Sequence, residues 1–187
     1  AVQQGVSAAR NLGACLATGR LLIFLDDDTE PSPGLVQAHL RAHERMPGHA
    51  IIGPYLPPDS RGPQTFFNHQ LRQWWVKIFA RMRPEGYRFG YTDFLSGNFS
   101  IDRDVFQDVG GFDTRLHVHE DYELGLRLIQ KGYHIGFAPD AAALHYDMSD
   151  LKRCLSRKYQ EGIADVQIAG LHPGVVHGMP LAIDRKH

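Results

Sequence analysis

A chain of 187 residues, 43% of them hydrophobic, has enough apolar matter for one domain with a proper core. Its 20 basic and 21 acidic residues leave a net charge of −1, which excludes a general nucleic-acid binder, and no apolar run is long enough to span a bilayer. The two cysteines, Cys15 and Cys154, form no CxxC pair and no disulfide framework, which suits a reducing compartment.

The first helix is expected from Gly5 to Thr18, with Ala8, Ala9, Leu12, Cys15 and Leu16 on its apolar side and Gly19 as its stop. Leu21-Leu22-Ile23-Phe24-Leu25 then runs straight into Asp26-Asp27-Asp28. Five apolar residues without polar alternation predict a strand buried on both faces. The acids fall at its carboxyl end, where open α/β sheets bind ligands. Three neighbouring carboxylates repel one another unless something positive joins them, and a hard divalent cation carrying phosphate oxygens fits best. The plainer alternative is an acidic turn that only ends the strand. An EF-hand loop is excluded, because Pro31 stands where Gly is required and Gln37 where the final Glu belongs.

Ser32-Pro33 is expected to cap and open a second helix, Gly34 to Met46, and Ala50 to Tyr55 to form a short strand. This helix–strand rhythm is that of an α/β sheet. His39 and His43 are spaced like zinc-helix ligands, but position 40 is Leu rather than Glu, so a solvated face is expected. Pro57 to Pro63 reads as a loop. Thr65 to Met82 carries Phe67, Leu71, Trp74, Ile78 and Met82 at helical spacing, with Arg72, Lys77, Arg81 and Arg83 around them. A core-facing helix is the first reading, and a basic, aromatic helix lying on a membrane surface or an apolar acceptor the second.

Phe94 to Ile101 reads as a strand containing Gly97-Asn98, and Asp102 as the cap of a short helix that Gly110-Gly111 ends. Glu120 to Lys131 reads as a helix whose first turn holds Glu120 and Asp121, where the helix dipole favours negative charge. Gly125 allows close packing there. Tyr133, Ile135 and Phe137 alternate as a strand. From Ser149 to Gly170 an amphipathic helix is expected, with Leu151, Leu155, Tyr159, Ile163 and Val166 along one side. The end after His172-Pro173 is expected to be loosely ordered.

Several motifs stand in one order: Ser7-Ala8-Ala9-Arg10-Asn11, the Asp triplet, Gly97-Asn98-Phe99-Ser100, Gly110-Gly111-Phe112-Asp113, and Glu120-Asp121-Tyr122-Glu123-Leu124 followed by Gly125 to Leu128. Each is weak alone. Together, from about Gly5 to His145, the chain resembles the family 2 glycosyltransferases of the GT-A fold. The resemblance implies an α/β, Rossmann-like domain with a mixed, mostly parallel sheet flanked by helices. Residues 1–148 would form this catalytic domain in part, and residues 149–187 a C-terminal amphipathic helix and tail.

The implied chemistry is transfer of a sugar from a nucleotide-diphosphate donor to an acceptor hydroxyl with inversion, assisted by Mg²⁺ or Mn²⁺. Asp28 would bind the metal, with Asp26 and Asp27 supporting the metal or the donor ribose. Arg10 would approach the donor phosphates, and Gly97 and Asn98 would line the sugar pocket. Asp121 would be the general base and Glu120 would help orient the acceptor. His145, just past a strand, matches a position that completes the metal shell in some GT-A enzymes. His117 and His119 are expected in loops near the acceptor, which would be a saccharide, a lipid or another hydroxyl compound. No nucleic-acid partner is expected. The expected place is the cytoplasm, with the inner face of the membrane as an alternative.

Family members begin with two strands that hold the nucleotide base and ribose. This chain starts after the point where they would stand and has neither an initial Met nor a signal-peptide pattern. An N-terminally truncated domain is therefore the expectation. Two rivals carry different chemistry. One is a GT-A-like module that binds a nucleotide or a partner without turnover. The other is a metal-dependent phosphohydrolase, for which no nucleophile or second metal cluster is evident.

Overall fold

A computed structural model describes residues 5–58, 66–146 and 150–178. Seven strands and six α-helices follow one another in this part of the chain: α1 (Gly5–Leu16), β1 (Leu21–Leu25), β2 (Thr29–Pro31), α2 (Leu35–Arg45), β3 (His49–Ile52), β4 (Tyr55–Leu56), α3 (Phe66–Arg81), β5 (Asn98–Asp102), α4 (Arg103–Asp108), α5 (Glu120–Gln130), β6 (His134–Phe137), β7 (Ala143–His145) and α6 (Leu151–Leu171). The main sheet has the order β1-β5-β3-β6 and a smaller one the order β2-β7-β4.

β5 runs antiparallel to both β1 and β3, and β3 is parallel to β6. β1, β3 and β6 therefore point the same way. The chain leaving each of them feeds the small sheet, through β2, β4 and β7 respectively. The carboxyl ends of the three parallel strands and the amino end of β5 thus meet in one place, where open α/β sheets take ligands.

The core lies against the main sheet. Phe94, Phe99, Ile101, Leu124 and Leu128 are fully buried, with Ile52 beside them. Phe24 stacks on Phe99 with ring centroids 4.5 Å apart. Gly125 fits because a Cβ there would sit 2.8 Å from Phe94 Cβ and 2.9 Å from the Tyr91 carbonyl, so α5 packs at backbone distance.

Several local expectations change. β1 is an edge strand among the described residues, and only Leu22 on it is buried. Its unbroken apolar run reflects packing of Leu22, Ile23 and Phe24 against the core rather than cover on both faces. On α1 the buried residues are Ser7 and Ala14, whereas Leu12 and Leu16 are exposed. Hydrogen bonds decide that orientation: Asn11 donates to the Phe112 carbonyl and accepts from the Phe112 N–H. α2 begins after a left-handed Gly34, with no side-chain cap from Ser32. Asp102 precedes α4 without a capping hydrogen bond and accepts from Arg20 instead. α3 turns Phe79 inward, as does Met82 just past its end, with Trp75 and Ile78 behind them, while Trp74 stays half exposed. Thr65 and most of the Pro57–Pro63 loop lie outside the described residues, as do Ser149 and the chain beyond Gly178.

The expected solvated face of α2 is also overturned. His39 and His43 are buried. His39 Nε2 lies 3.1 Å from Asn98 Oδ1 and its Nδ1 2.8 Å from Ser100 Oγ. Ser100 Oγ also lies 2.9 Å from His43 Nε2. A chain of polar side chains therefore rivets α2 to β5. Burial pushes both imidazoles below their usual range.

Candidate active site

Register places the two acidic motifs. Leu25 pairs with Asn98, so the next residue on either side, Asp26 and Gly97, meet beyond the sheet. The Asp26 N–H donates to the Gly97 carbonyl at 3.1 Å. A Cβ on Gly97 would stand 2.7 Å from the Tyr55 ring and 3.1 Å from Asp26 Oδ2, so only glycine lets the backbone come this close. The neighbouring Ser96 N–H donates to Asp121 Oδ2 at 3.3 Å, and the Ser96 hydroxyl lies 3.5 Å from the same oxygen. The dipeptide Ser96-Gly97 thus stands between the Asp triplet and the amino end of α5.

Arg10 ties the same two motifs together from α1. Its guanidinium contacts Asp26 Oδ1 and donates to Glu120 Oε1 at 2.8 Å. It also lies over the Phe112 ring, 5.2 Å from the centroid. Arg10 and Glu120 are mostly buried, with 11% of each side chain exposed. The charge of Arg10 is committed to these carboxylates.

Asp121 sits in the first turn of α5 and accepts from its neighbour's N–H, Tyr122, at 2.9 Å. Desolvation first, and repulsion from Glu120 second, push its carboxyl up to about 7, against the hydrogen bonds from Tyr122 and Ser96. Such a group exchanges a proton near neutral pH. Tyr55 is buried beside it, and burial followed by the charges of Asp121 and Asp26 raises its hydroxyl well above the usual range. Tyr55 therefore feels both acidic motifs at once.

The small sheet assembles the third part. Thr29 pairs with His145 between β2 and β7, which brings His145 Nε2 to 3.3 Å from Asp28 Oδ1. His145 is buried, with Tyr55 edge-on at 5.3 Å, and its Nδ1 has no hydrogen-bond partner among the described residues. Asp28 is the open member of the pair, with 42% of its side chain exposed. Among the described residues no three His, Cys, Asp or Glu converge as a metal centre. The pair of one carboxylate and one imidazole still fits a divalent cation that fills its other positions with phosphate oxygens and water, as Mg²⁺ does at phosphate sites.

The other expected residues fall into place differently. Asp27 is exposed. Asn98 is fully buried, and its amide donates to the Ala141 carbonyl at 2.7 Å. Its side chain locks β5 to the loop after β6. Gly97 lines the site through its backbone. His117 is exposed. His119 takes the left-handed conformation (φ 57°) just before Glu120, stacks on Tyr122 at 4.3 Å, and holds Asp165 of α6 at 2.8 Å. Tyr55 and Ser96 belong to the site although neither stands out in the sequence. The only available signal was their place beside Gly-Pro and Gly-Asn at strand ends.

A mixed sheet with an acidic triplet at the carboxyl end of one of its parallel strands, covered by helices, is the GT-A arrangement. The family model for glycosyl transferase family group 2 matches residues 21–182, and the chain belongs to that family. Over 170 residues it is 27% identical to the pre-mycofactocin glycosyltransferase of Mycobacterium tuberculosis H37Rv, covering 91% of this chain and 36% of that one. It is 32% identical over 113 residues to the glucosyl-dolichyl phosphate glucuronosyltransferase of Haloferax volcanii, covering 59% of this chain and 35% of the relative. The chain thus spans about a third of the length of these curated relatives. Among solved structures, it superposes on a mannosyltransferase of Pyrobaculum calidifontis in complex with GDP-Man and Mn²⁺ with a TM-score of 0.60 at 17% identity, over 91% of this chain and 44% of that one. It likewise matches TarS of S. aureus with a TM-score of 0.60 at 12% identity, over 96% and 28%. No helix among the described residues is long and apolar enough to cross a membrane.

Proposed function

We propose that this chain is part of the catalytic domain of a glycosyltransferase that moves a sugar from a nucleotide-diphosphate donor to an acceptor hydroxyl with inversion. The observation that carries the reading is the shared attachment of both acidic motifs to Ser96-Gly97. It sets a group that titrates near neutral pH beside a site suited to a cation and a diphosphate. Two of the relatives are named as glycosyltransferases and one structural neighbour was solved with GDP-Man and Mn²⁺, which supports the same reading.

In this mechanism Asp121 accepts the proton of the acceptor hydroxyl as its oxygen bonds to the anomeric carbon. The bond from that carbon to the diphosphate breaks, and the electron pair leaves with the diphosphate. One displacement inverts the configuration. Asp28 and His145 would hold Mg²⁺ or Mn²⁺, which neutralises charge on the departing diphosphate. Arg10 keeps Asp26 and Glu120 in place between the two halves of the site. Tyr55 is buried against Gly97, between the two acidic motifs. The acceptor is a hydroxyl on a saccharide or a lipid.

The test is a panel of UDP-, GDP- and dTDP-sugars with Mn²⁺ and a mixture of saccharide and polyprenyl-phosphate acceptors, followed by release of nucleoside diphosphate. Acceptor-dependent release that Asp121→Asn removes supports transfer. Release without any acceptor supports phosphohydrolysis instead. Tight metal-dependent nucleotide binding without turnover supports a binding module.

A further inference from the structure

We propose that the outward face of α6, with the adjoining edge of α3, docks on an anionic lipid surface. The amphipathic stripe of α6 faces away from the core. Leu151, Leu155, Tyr159, Ile163 and Val166 are 59%, 62%, 70%, 41% and 67% exposed. The residues that α6 buries are Ala164, Asp165 and Ile168, on the opposite side of the helix. Five large apolar side chains at intervals of three and four residues therefore form one strip turned to solvent. A contiguous patch of this kind marks an interaction surface rather than ordinary surface scatter.

Charge selects the partner. Between Asp150 and Ile163 stand four basic residues, Lys152, Arg153, Arg157 and Lys158, and two acidic ones, Asp150 and Glu161. Lys158 lies over the half-exposed Trp74 ring, 5.8 Å from its centroid, so the strip continues onto α3. That helix carries Arg72, Lys77 and Arg81 and no acid; Arg81 is paired with Asp93, and Arg157 and Lys158 with Glu161, which neutralises part of this charge and leaves the surface net positive. Lys152 and Lys158 lie along the strip's flanks, while Arg153 and Arg157 fall on the far side of the helix; an apolar strip flanked by lysines is suited to the boundary between headgroups and acyl chains of an anionic bilayer. A second copy offers the same basic surface, and like charges would face each other across a two-fold contact.

The placement matters for the site. α6 is fastened to α5 by two His–carboxylate pairs of opposite sense, His119–Asp165 at 2.8 Å and His172–Glu123 at 2.9 Å. Ile168 also packs with Leu116 and Leu126. A docked α6 holds the amino end of α5, with Glu120 and Asp121, at a set distance from the lipid surface.

The experiment is co-sedimentation of the whole chain with phosphatidylcholine–phosphatidylglycerol vesicles and with pure phosphatidylcholine vesicles, followed by tryptophan emission. Partition to the anionic vesicles and a blue shift of emission are expected, both weakening as salt rises. Leu155→Asp combined with Tyr159→Asp should weaken partition by at least about tenfold, with far-UV circular dichroism and melting temperature unchanged because both side chains are exposed. Lys152→Glu with Lys158→Glu should weaken it comparably. Three results would overturn the proposal: no partition by the parent chain, equal partition to both kinds of vesicle, or partition unaffected by the Asp pair. A dimer in light scattering that the Asp pair dissolves would also overturn it, by assigning the face to a second copy.

Discussion

His145 Nε2 lies 3.3 Å from Asp28 Oδ1, although the two residues come from opposite ends of the fold's chain order. β2 follows the Asp triplet and β7 follows β6, and their antiparallel pairing at Thr29 and His145 makes the contact unavoidable. One partner is buried and the other open, the disposition expected of a site that receives a cation with its ligand from outside. Asp28→Ala should therefore remove the Mn²⁺-dependent part of UDP or GDP binding. His145→Ala should weaken it by at least about tenfold. Isothermal titration with and without Mn²⁺ measures both, and metal-dependent affinity unchanged in both variants would reject the assignment.

Arg10 is the second test. It serves two carboxylates at once, and each loses its counter-charge when the guanidinium goes. Removing one partner from a largely buried ionic group costs about 3 kcal/mol or more, a fall in melting temperature of roughly 6–12 °C for a chain of this size. Arg10→Lys should recover little, since a single ammonium cannot present the two separate donors that Asp26 and Glu120 use. A melting temperature within about 2 °C of the parent for Arg10→Ala would mean that Asp26 and Glu120 are held by other groups.

The buried polar chain between α2 and β5 predicts how stability depends on pH. His39 and His43 have folded pKa values below the unfolded one, because burial disfavours the imidazolium. Their contribution is present above the unfolded pKa, about 6.5, and is lost as pH falls below it and the unfolded chain takes up protons that the folded one refuses. Melting temperature should fall between about pH 6.5 and 5, and His39→Gln should flatten that fall. Asn98→Ala should cost about 2 kcal/mol at pH 7.5 by orphaning His39 and the Ala141 carbonyl. A flat thermal profile across this range would show that the imidazoles reach solvent.

Much of the site was legible because its residues are bound to strand and helix ends. An apolar run ending in Asp26, a Gly-Asn at a strand start, and an acidic pair opening a helix each mark a place in the fold before any coordinates. The polar contacts across the fold were not legible. Ser7, His39 and His43, buried, and Asn11, partly buried, are held by partners more than 50 residues away, and no local pattern encodes such pairing. Periodicity misled most on α6. It located an apolar stripe correctly and gave no indication that the stripe faces solvent, since amphipathic spacing is the same whether the face meets a core or a bilayer. The inward bonding of the Asn98 side chain to His39 and the Ala141 carbonyl was likewise not legible.

Asp121 separates function from architecture most sharply. Its carboxyl titrates near 7 because it is desolvated and stands beside Glu120. If it takes the acceptor proton, activity should rise with pH through about this value and level off above it, as the free carboxylate accumulates. Stability should run the other way. The folded pKa is raised above that of the unfolded chain, so the group's contribution is full below the unfolded value near 4 and is lost as pH climbs towards 7, at no more than about 1.4 kcal/mol per pH unit. Asp121→Asn keeps the shape but carries no charge and takes no proton, and its single amide oxygen can accept from only one of the Ser96 and Tyr122 N–H groups, which bond separate carboxylate oxygens in the parent. Its rate should fall by about 10²–10⁴, while its melting temperature, lowered at every pH by the one lost hydrogen bond, should gain on the parent's as pH rises from about 4 to 8. Metal-dependent nucleotide affinity should stay within a few-fold, because Asp28 and His145 are untouched. A variant with kcat near the parent's and the same rise in melting temperature would leave Asp121 as a costly helix-start acid and send the search for the base to Glu120 or His119.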